Sequence, residues 1–271
     1  MSLSRRRRHL NVFGLALALT ATWAARVHAQ DIFEVQVYEY ETVPRGMWNL
    51  ETHLNYTLRG TKHFEGTVAP TNHQTHLTYE LTRGITDYFE LAGYLVLAHR
   101  PNAGAEYVGY RIRPRIRFPE SWNLPAKVSL STEIGFPESA YEEAHSTLEI
   151  RPIIEKGFGS WQIDLNPTVG RALSGPGSDD GWDMEPGLRV GYALNPKVDL
   201  SIEYYGSLGS VTDPLPANEM TQLFFPGADI SLGEGRVLNI GVGGNLTDDG
   251  IRSMVKMRIG WLFGGKAKSG T

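Results

Sequence analysis

From residue 48 to residue 263 the chain alternates apolar and polar positions, and the last segment shows the rule most clearly. Val255, Met257, Ile259, Trp261 and Phe263 are apolar, while Lys256, Arg258, Gly260 and Leu262 lie between them. A period of two puts the first set on one face of a β-strand and the second on the other. Segments of roughly ten residues, the reach of a tilted membrane strand, repeat this pattern upstream. They cover residues 48–59, 74–83, 88–98, 107–118, 126–136, 146–155, 161–171, 183–193, 198–206, 221–232, 237–245 and 252–263. No segment sustains a period of 3.6, so helices are expected to be few.

The connections carry the second half of the pattern. Tight turns at 84–87, 157–160, 194–197 and 233–236, with a medium one at 119–125, alternate with longer polar loops. The long set falls at 60–73, 99–106, 137–145, 172–182, 207–220 and 246–251. Short connections at one end and long ones at the other are expected of an all-β, antiparallel transmembrane β-barrel of about 12 strands, with short periplasmic turns and extracellular loops. An even count puts both chain ends on the short-turn side. Ten or fourteen strands are the alternatives, depending on residues 31–40 and on Pro114, Pro152, Pro167, Pro186 and Pro226. These prolines fall on the lipid-facing parity of five segments, where each removes a ladder donor. Their repetition points to bulges or to places near the rim.

Residues 1–29 read as a signal peptide, with Arg5 to Arg8 as the positive region, an apolar run from Leu10 to Ala25, and Val27-His28-Ala29 before the cut. The Arg run also loosely suggests a twin-arginine signal. A general secretory route is the expectation, because a barrel crosses the inner membrane unfolded. Residues 30–47 are a lead-in segment, 48–263 the barrel and 264–271 a tail. The lead-in alternates too (Phe33, Val35 and Val37 against Glu34, Gln36 and Tyr38). It reads as an ordered approach with no function of its own, or as a periplasmic extension, a segment inside the lumen or an extra strand.

The aromatic-ended last strand resembles the C-terminal β-signal of bacterial outer-membrane barrels, with eight further residues behind Phe263. That implies a cell outer membrane address in a Gram-negative bacterium and recognition by the barrel-assembly machinery. Residues 85–91 (Ile-Thr-Asp-Tyr-Phe-Glu-Leu) and 193–202 (Ala-Leu-Asn-Pro-Lys-Val-Asp-Leu-Ser-Ile) share a tight polar turn followed by a strand with an acidic residue between apolar ones. This resembles hairpins of the outer-membrane family named for the MetA pathway of phenol degradation. The resemblance implies passage of small solutes, aromatic or hydrophobic ones among them, and assigns no binding residue.

Composition removes several functions. The chain has no Cys, which excludes disulfides, thiolate metal sites, Cys nucleophiles and a lipid-modified Cys. Without residues 1–29, 21 basic residues face 30 acidic ones, a formal charge of −9, so nucleic acid is not an expected partner. Outer-membrane lipids, lipopolysaccharide and small solutes are.

Arg111, Arg113, Arg115 and Arg117 share the inward parity of their strand, since a basic residue facing lipid costs about 2–4 kcal/mol at mid-membrane. The same parity places Glu90, Glu133, Glu149, Asp164, Asp183, Glu185, Asp199, Glu203 and Asp229 inside. Counted around the wall, the arginine strand lies across from the acidic strands, so a transverse field in a narrow polar passage is one expectation. Charges that pair and fill the lumen, as Arg111 and Glu133 can across their hairpin, are the other. Open space beside the Arg row would favour a passive channel. A lumen packed with paired side chains or with the lead-in would favour a closed structural or binding barrel.

Catalysis is not expected, and an outer-membrane lipid-modifying enzyme ranks third. His73 and His145-Ser146 lie near the loop-side rim, but neither reproduces the His-x-Ser-Asn-Gly stretch of outer-membrane phospholipases. No cofactor and no metal site are expected. Asp179-Asp180 and Asp248-Asp249 read as solvated turns, and Gly241-Val242-Gly243-Gly244 has no helix after it to make a dinucleotide fingerprint.

Overall fold

In the computed structural model, residues 32–247 and 250–265 are described. The segment expected to be a signal peptide (residues 1–29), Asp248-Asp249 and the end of the tail lie outside them. Fourteen strand segments follow one another: β1 (Trp48–Arg59), β2 (Thr75–Gly84), β3 (Phe89–Arg100), β4 (Gly104–Arg117), β5 (Lys127–Pro137), β6 (Ser146–Phe158), β7 (Trp161–Asn166), β8 (Val169–Ser174), β9 (Asp183–Met184), β10 (Gly187–Asn195), β11 (Val198–Ser207), β12 (Thr221–Gly233), β13 (Arg236–Asn245) and β14 (Ser253–Phe263). One turn of 3-10 helix, Glu120–Trp122, is the sole helical element among the described residues.

All pairings are antiparallel; β8 pairs with β6 and β9, and β10 with β7 and β11, while the other strands pair with their sequence neighbours, and β1 also pairs with β14 over its whole length, from Trp48 opposite Phe263 to Arg59 opposite Ser253. The sheet therefore closes on itself. β7 with β8, and β9 with β10, are each one stave interrupted at Pro167 and Pro186, so the barrel has twelve staves. Closure leaves the sheet without an edge strand, which a wall surrounded by hydrocarbon requires.

Side chains on the outward parity form an apolar belt. On β4, Ile112 is 46% exposed while its neighbour Arg113 is 3% exposed. Exposed Tyr56, Tyr79, Trp161, Tyr192 and Trp261 belong to the same outer surface, where amphipathic rings suit the two bilayer interfaces.

The prolines fall where ladders are interrupted. The β4–β5 register skips from Ile112 opposite Ile134 to Arg115 opposite Ser131, leaving Pro114 unpaired on that side. The β12–β13 register skips in the same way at Pro226. On β6, Pro152 lies between the stretch that pairs with β8 and the stretch that pairs with β7. Pro152, Pro167 and Pro186 thus line up across three adjacent staves, so each missing donor falls where a ladder is already broken.

One expected loop is absent. Residues 99–106 are not a long connection, because β3 and β4 run on to Arg100 and Gly104 and meet in a three-residue turn. Arg100 and Glu106 pair across it. The apolar pattern ends at the hydrocarbon boundary, whereas the ladder continues into water.

The largest difference from expectation lies inside. Residues 32–47 are neither an extra strand nor a lead-in outside the wall; they run down the lumen as an extended strap. Phe33, Val35, Val37, Tyr38 and Tyr40 are buried there. Phe33 packs with Tyr94, Val96 and Val108 of β3 and β4, while Val35 and Val37 pack with Tyr205, Leu223, Phe225 and Met254 on the opposite wall. Gly243 leaves the space that the Phe225 ring fills; a Cβ there would stand 2.7 Å from it. At the short-turn end the strap turns into β1 over Gly84, where a Cβ would meet the carbonyl oxygens of Val43 and Pro44 at 2.3 and 2.2 Å.

Candidate functional site

The strap makes no strand ladder, so its buried backbone groups need other partners. Inward side chains supply them, in order from the long-loop end to the short-turn end. Asn55 Nδ2 donates to the Ile32 carbonyl (2.9 Å) and Thr78 Oγ1 to that of Phe33 (3.1 Å). Lys256 Nζ donates to Val35 O (3.1 Å). Asn166 accepts from Tyr38 N (2.7 Å) and donates back to Tyr38 O (3.0 Å). Lower down, Tyr40 N donates to Glu155 (2.9 Å), Val43 N to Glu90 (2.6 Å), and Arg115 to the carbonyls of Glu39 and Glu41.

The four arginines of β4 all point inward, but they do not line a free passage. Arg111 pairs with Glu133 (3.1 Å) and approaches Glu34 of the strap (3.7 Å). Arg113 is buried against Glu80, Glu90 (2.9 Å) and the Tyr94 hydroxyl (2.6 Å). Arg117 sits at the short-turn rim, on Glu41 (3.0 Å) and the Asp87 carbonyl (2.8 Å). Tyr38 sits among Arg113, Arg115 and Arg151, whose guanidinium carbons lie 5.0, 5.4 and 4.4 Å from its ring centre. Such cation–π contacts strengthen away from water.

The acidic residues across the lumen carry their own cations, which corrects the expectation of opposed charged walls. Asp164 and Asp229 are bridged by Arg189 (3.1 and 2.9 Å), and Glu203 holds Lys256. Glu149 pairs with Arg151 at 2.8 Å. Asp199 lies half-buried near the short-turn end, opposite Asp229 in the β11–β12 register. Asp183 and Glu185 are half-buried at the broken stave, where Glu185 approaches Gly170. Charges neutralised within one wall leave little transverse field. Glu51, His53, Glu80, Arg151, Arg189, Lys256 and Arg258 join the inward charges beyond those expected from the sequence. All seven lie on the inward parity of their strands, Arg151 two residues after Glu149 and Arg189 four after Glu185.

Above the strap a cavity of about 690 Å³ opens toward the long loops, with Ile32 and Phe33 in its lining. Its wall mixes apolar Val96, Val108, Leu223 and Ile251 with Arg111, Glu133, Glu142 and Glu185. Loops 60–74 and 138–145 are joined over it by Ala69 N donating to Ala140 O at 2.8 Å. Tyr141, in the second of these loops, donates to Glu106 (2.6 Å); burial, followed by that carboxylate, pushes its phenol pKa up and keeps the proton in place. A smaller cavity of about 400 Å³ lies at the other end, against Tyr40 and the 118–127 turn. His73 and His145 sit at the loop-side rim, His73 with the Tyr56 hydroxyl (3.1 Å) and His145 with its backbone on Ser174.

These features define a closed transmembrane β-barrel of the outer-membrane type whose lumen is occupied by the chain's own N-terminal segment. No family model matches the chain, and no curated protein sequence does. Among solved structures, it is similar to an outer membrane channel from Pseudomonas putida F1, at 14% identity and a TM-score of 0.56, over 85% of this chain and all of that one. Weaker likenesses are to the translocator domain of the autotransporter NalP from Neisseria meningitidis (12% identity, TM-score 0.48, 83% of this chain and 90% of that one) and to outer membrane phospholipase A from Escherichia coli (10%, 0.43, 85% and 94%). At these identities the first likeness establishes the fold, and the other two bear on nothing further.

Proposed function

We propose that the protein is an outer-membrane channel of a Gram-negative bacterium that admits small solutes at the loop-side cavity and passes them inward when the strap shifts. The observation that carries this reading is the way the strap is held. It crosses the lumen on side-chain hydrogen bonds and ion pairs, with no strand ladder fixing it, and a solute-sized cavity lies directly above it. The cavity's mixed lining suits a compact, partly apolar solute. The Arg row with its partners Glu90 and Glu133 serves in this reading as part of the strap's socket, and Glu149, Asp164, Glu185, Asp199 and Glu203 add to the charge of the filled lumen rather than to a permanent conductive path.

Planar-bilayer recording tests it. The full mature barrel should show low conductance with rare openings, and deletion of residues 32–43 should raise the conductance several-fold. A deletion variant that migrates as a folded barrel yet stays silent would remove the channel reading. It would leave the closed structural or binding barrel, which the filled lumen itself favours.

A further inference from the structure

The strap and the wall bring together three metal-ligating side chains from three parts of the chain. Glu34 is on the strap, His53 on β1 and Glu80 on β2. All three are buried, and one ligand atom from each lies within 4.8 Å of the others. We propose that Glu34, His53 and Glu80 form a site for one divalent cation of the zinc class, which pins the strap to the wall beneath the loop-side cavity.

The arrangement around the three residues supports a site rather than a chance meeting of charges. Tyr38 OH donates to Glu34 Oε1, which leaves Oε2 for another partner. Arg113 and Thr82 both donate to Glu80 Oε1. Glu80 Oε2 is buried and accepts no hydrogen bond among the described residues. Its near neighbour is His53 Nε2 at 4.0 Å, and Glu51 Oε2 stands 3.7 Å from the same nitrogen. Each carboxylate therefore has one oxygen oriented by an outer donor, while its second oxygen is without a hydrogen bond among the described residues in Glu80 and meets the Arg111 guanidinium at 3.7 Å in Glu34, the layout that positions ligands around a bound metal.

One imidazole and two carboxylates suit zinc better than calcium or magnesium, which call for six or more oxygens or several retained waters. Ligand atoms on a tetrahedral zinc stand about 3.4 Å apart, given bonds of about 2.0–2.1 Å, so the three groups need only close inward. A fourth position remains for water. The nearby charges are mixed, with Glu51 and Glu133 adding negative potential and Arg111, Arg113 and Arg151 opposing it. Arg111 is the direct competitor, because its Nη1 lies 3.7 Å from Glu34 Oε2. Phe33, beside Glu34, and Glu133 line the cavity, which gives an ion its route in.

Calorimetric titration of the purified full mature barrel in detergent with zinc chloride, using calcium and magnesium chloride as controls, tests this. The expected result is one zinc per barrel and neither control ion bound. Glu34→Gln and His53→Asn are each expected to weaken binding tenfold or more, and Arg111→Gln to tighten it several-fold. Retention of the heat-modifiable gel shift establishes that each variant is folded, and the two ligand substitutions are independent of one another. Absence of stoichiometric zinc in the wild type, or undiminished binding in both ligand variants, would overturn the proposal.

Discussion

Two kinds of buried backbone cross the membrane region of this molecule. The wall's amides and carbonyls are paired with those of neighbouring staves, and any residue but proline can supply such pairs. The strap's are paired with particular side chains: Asn55, Thr78, Asn166, Glu155, Glu90, Lys256 and Arg115. A ladder is indifferent to sequence, whereas a socket of side chains is not. Stability of the barrel is therefore spread over the whole wall, while seating of the strap is concentrated in a few residues that single substitutions can remove.

Arg113 offers the sharpest way to break that contrast. Arg113→Ala strips Glu80 of its buried arginine and leaves Glu90 with Arg115 alone at 3.7 Å, and removing one partner of a buried pair costs about 3–5 kcal/mol. The variant refolded in lipid vesicles should unfold at clearly lower urea than the wild type; an unchanged midpoint would mean that the socket contributes nothing to stability. Its outward neighbour tests the wall. Ile112→Arg places a charge in hydrocarbon and should cost about 2–4 kcal/mol near the midplane, read by the same titration, with the strap still protected from protease.

Asn166→Ala takes away both bonds to the Tyr38 backbone and leaves that peptide buried without them, a loss of about 1–3 kcal/mol. Cleavage within residues 32–47 by added protease should quicken while the heat-modifiable shift of the barrel persists. Equal protease resistance in variant and wild type would show that the strap does not depend on its socket. The smallest change is expected at the rim. Arg117→Ala breaks a pair whose Glu41 partner is largely exposed, worth less than about 1 kcal/mol, and should leave both the urea midpoint and the protease pattern where they were.

The twelve staves were legible because one face meets lipid and the other does not, so polarity records the pleat directly. That signal fails in three places. In the strap, Glu34 is as deeply buried as Phe33 and Val35, since wall residues surround it on all sides; its alternation carries no inside or outside. At residues 99–106 polarity marks where the bilayer stops and cannot show that hydrogen bonding continues beyond it. Among the inward charges, parity placed Arg111, Arg113, Arg115 and Arg117 correctly, but pairing depends on staves far apart in sequence. Nothing in the spacing of Arg189 joins it to Asp229, or that of Lys256 to Glu203. The meeting of Glu34 with His53 and Glu80 was hidden for the same reason, because one of the three belongs to the strap.

The tight crossing of the strap over Gly84 favours one order of events during assembly. Residues 32–47 precede β1, yet they lie within the ring that β1 closes by joining β14. A hoop whose two ends fasten around its own leading thread closes most easily with that thread already inside. Sealing first would leave sixteen residues to be pulled through a finished cylinder lined with charges.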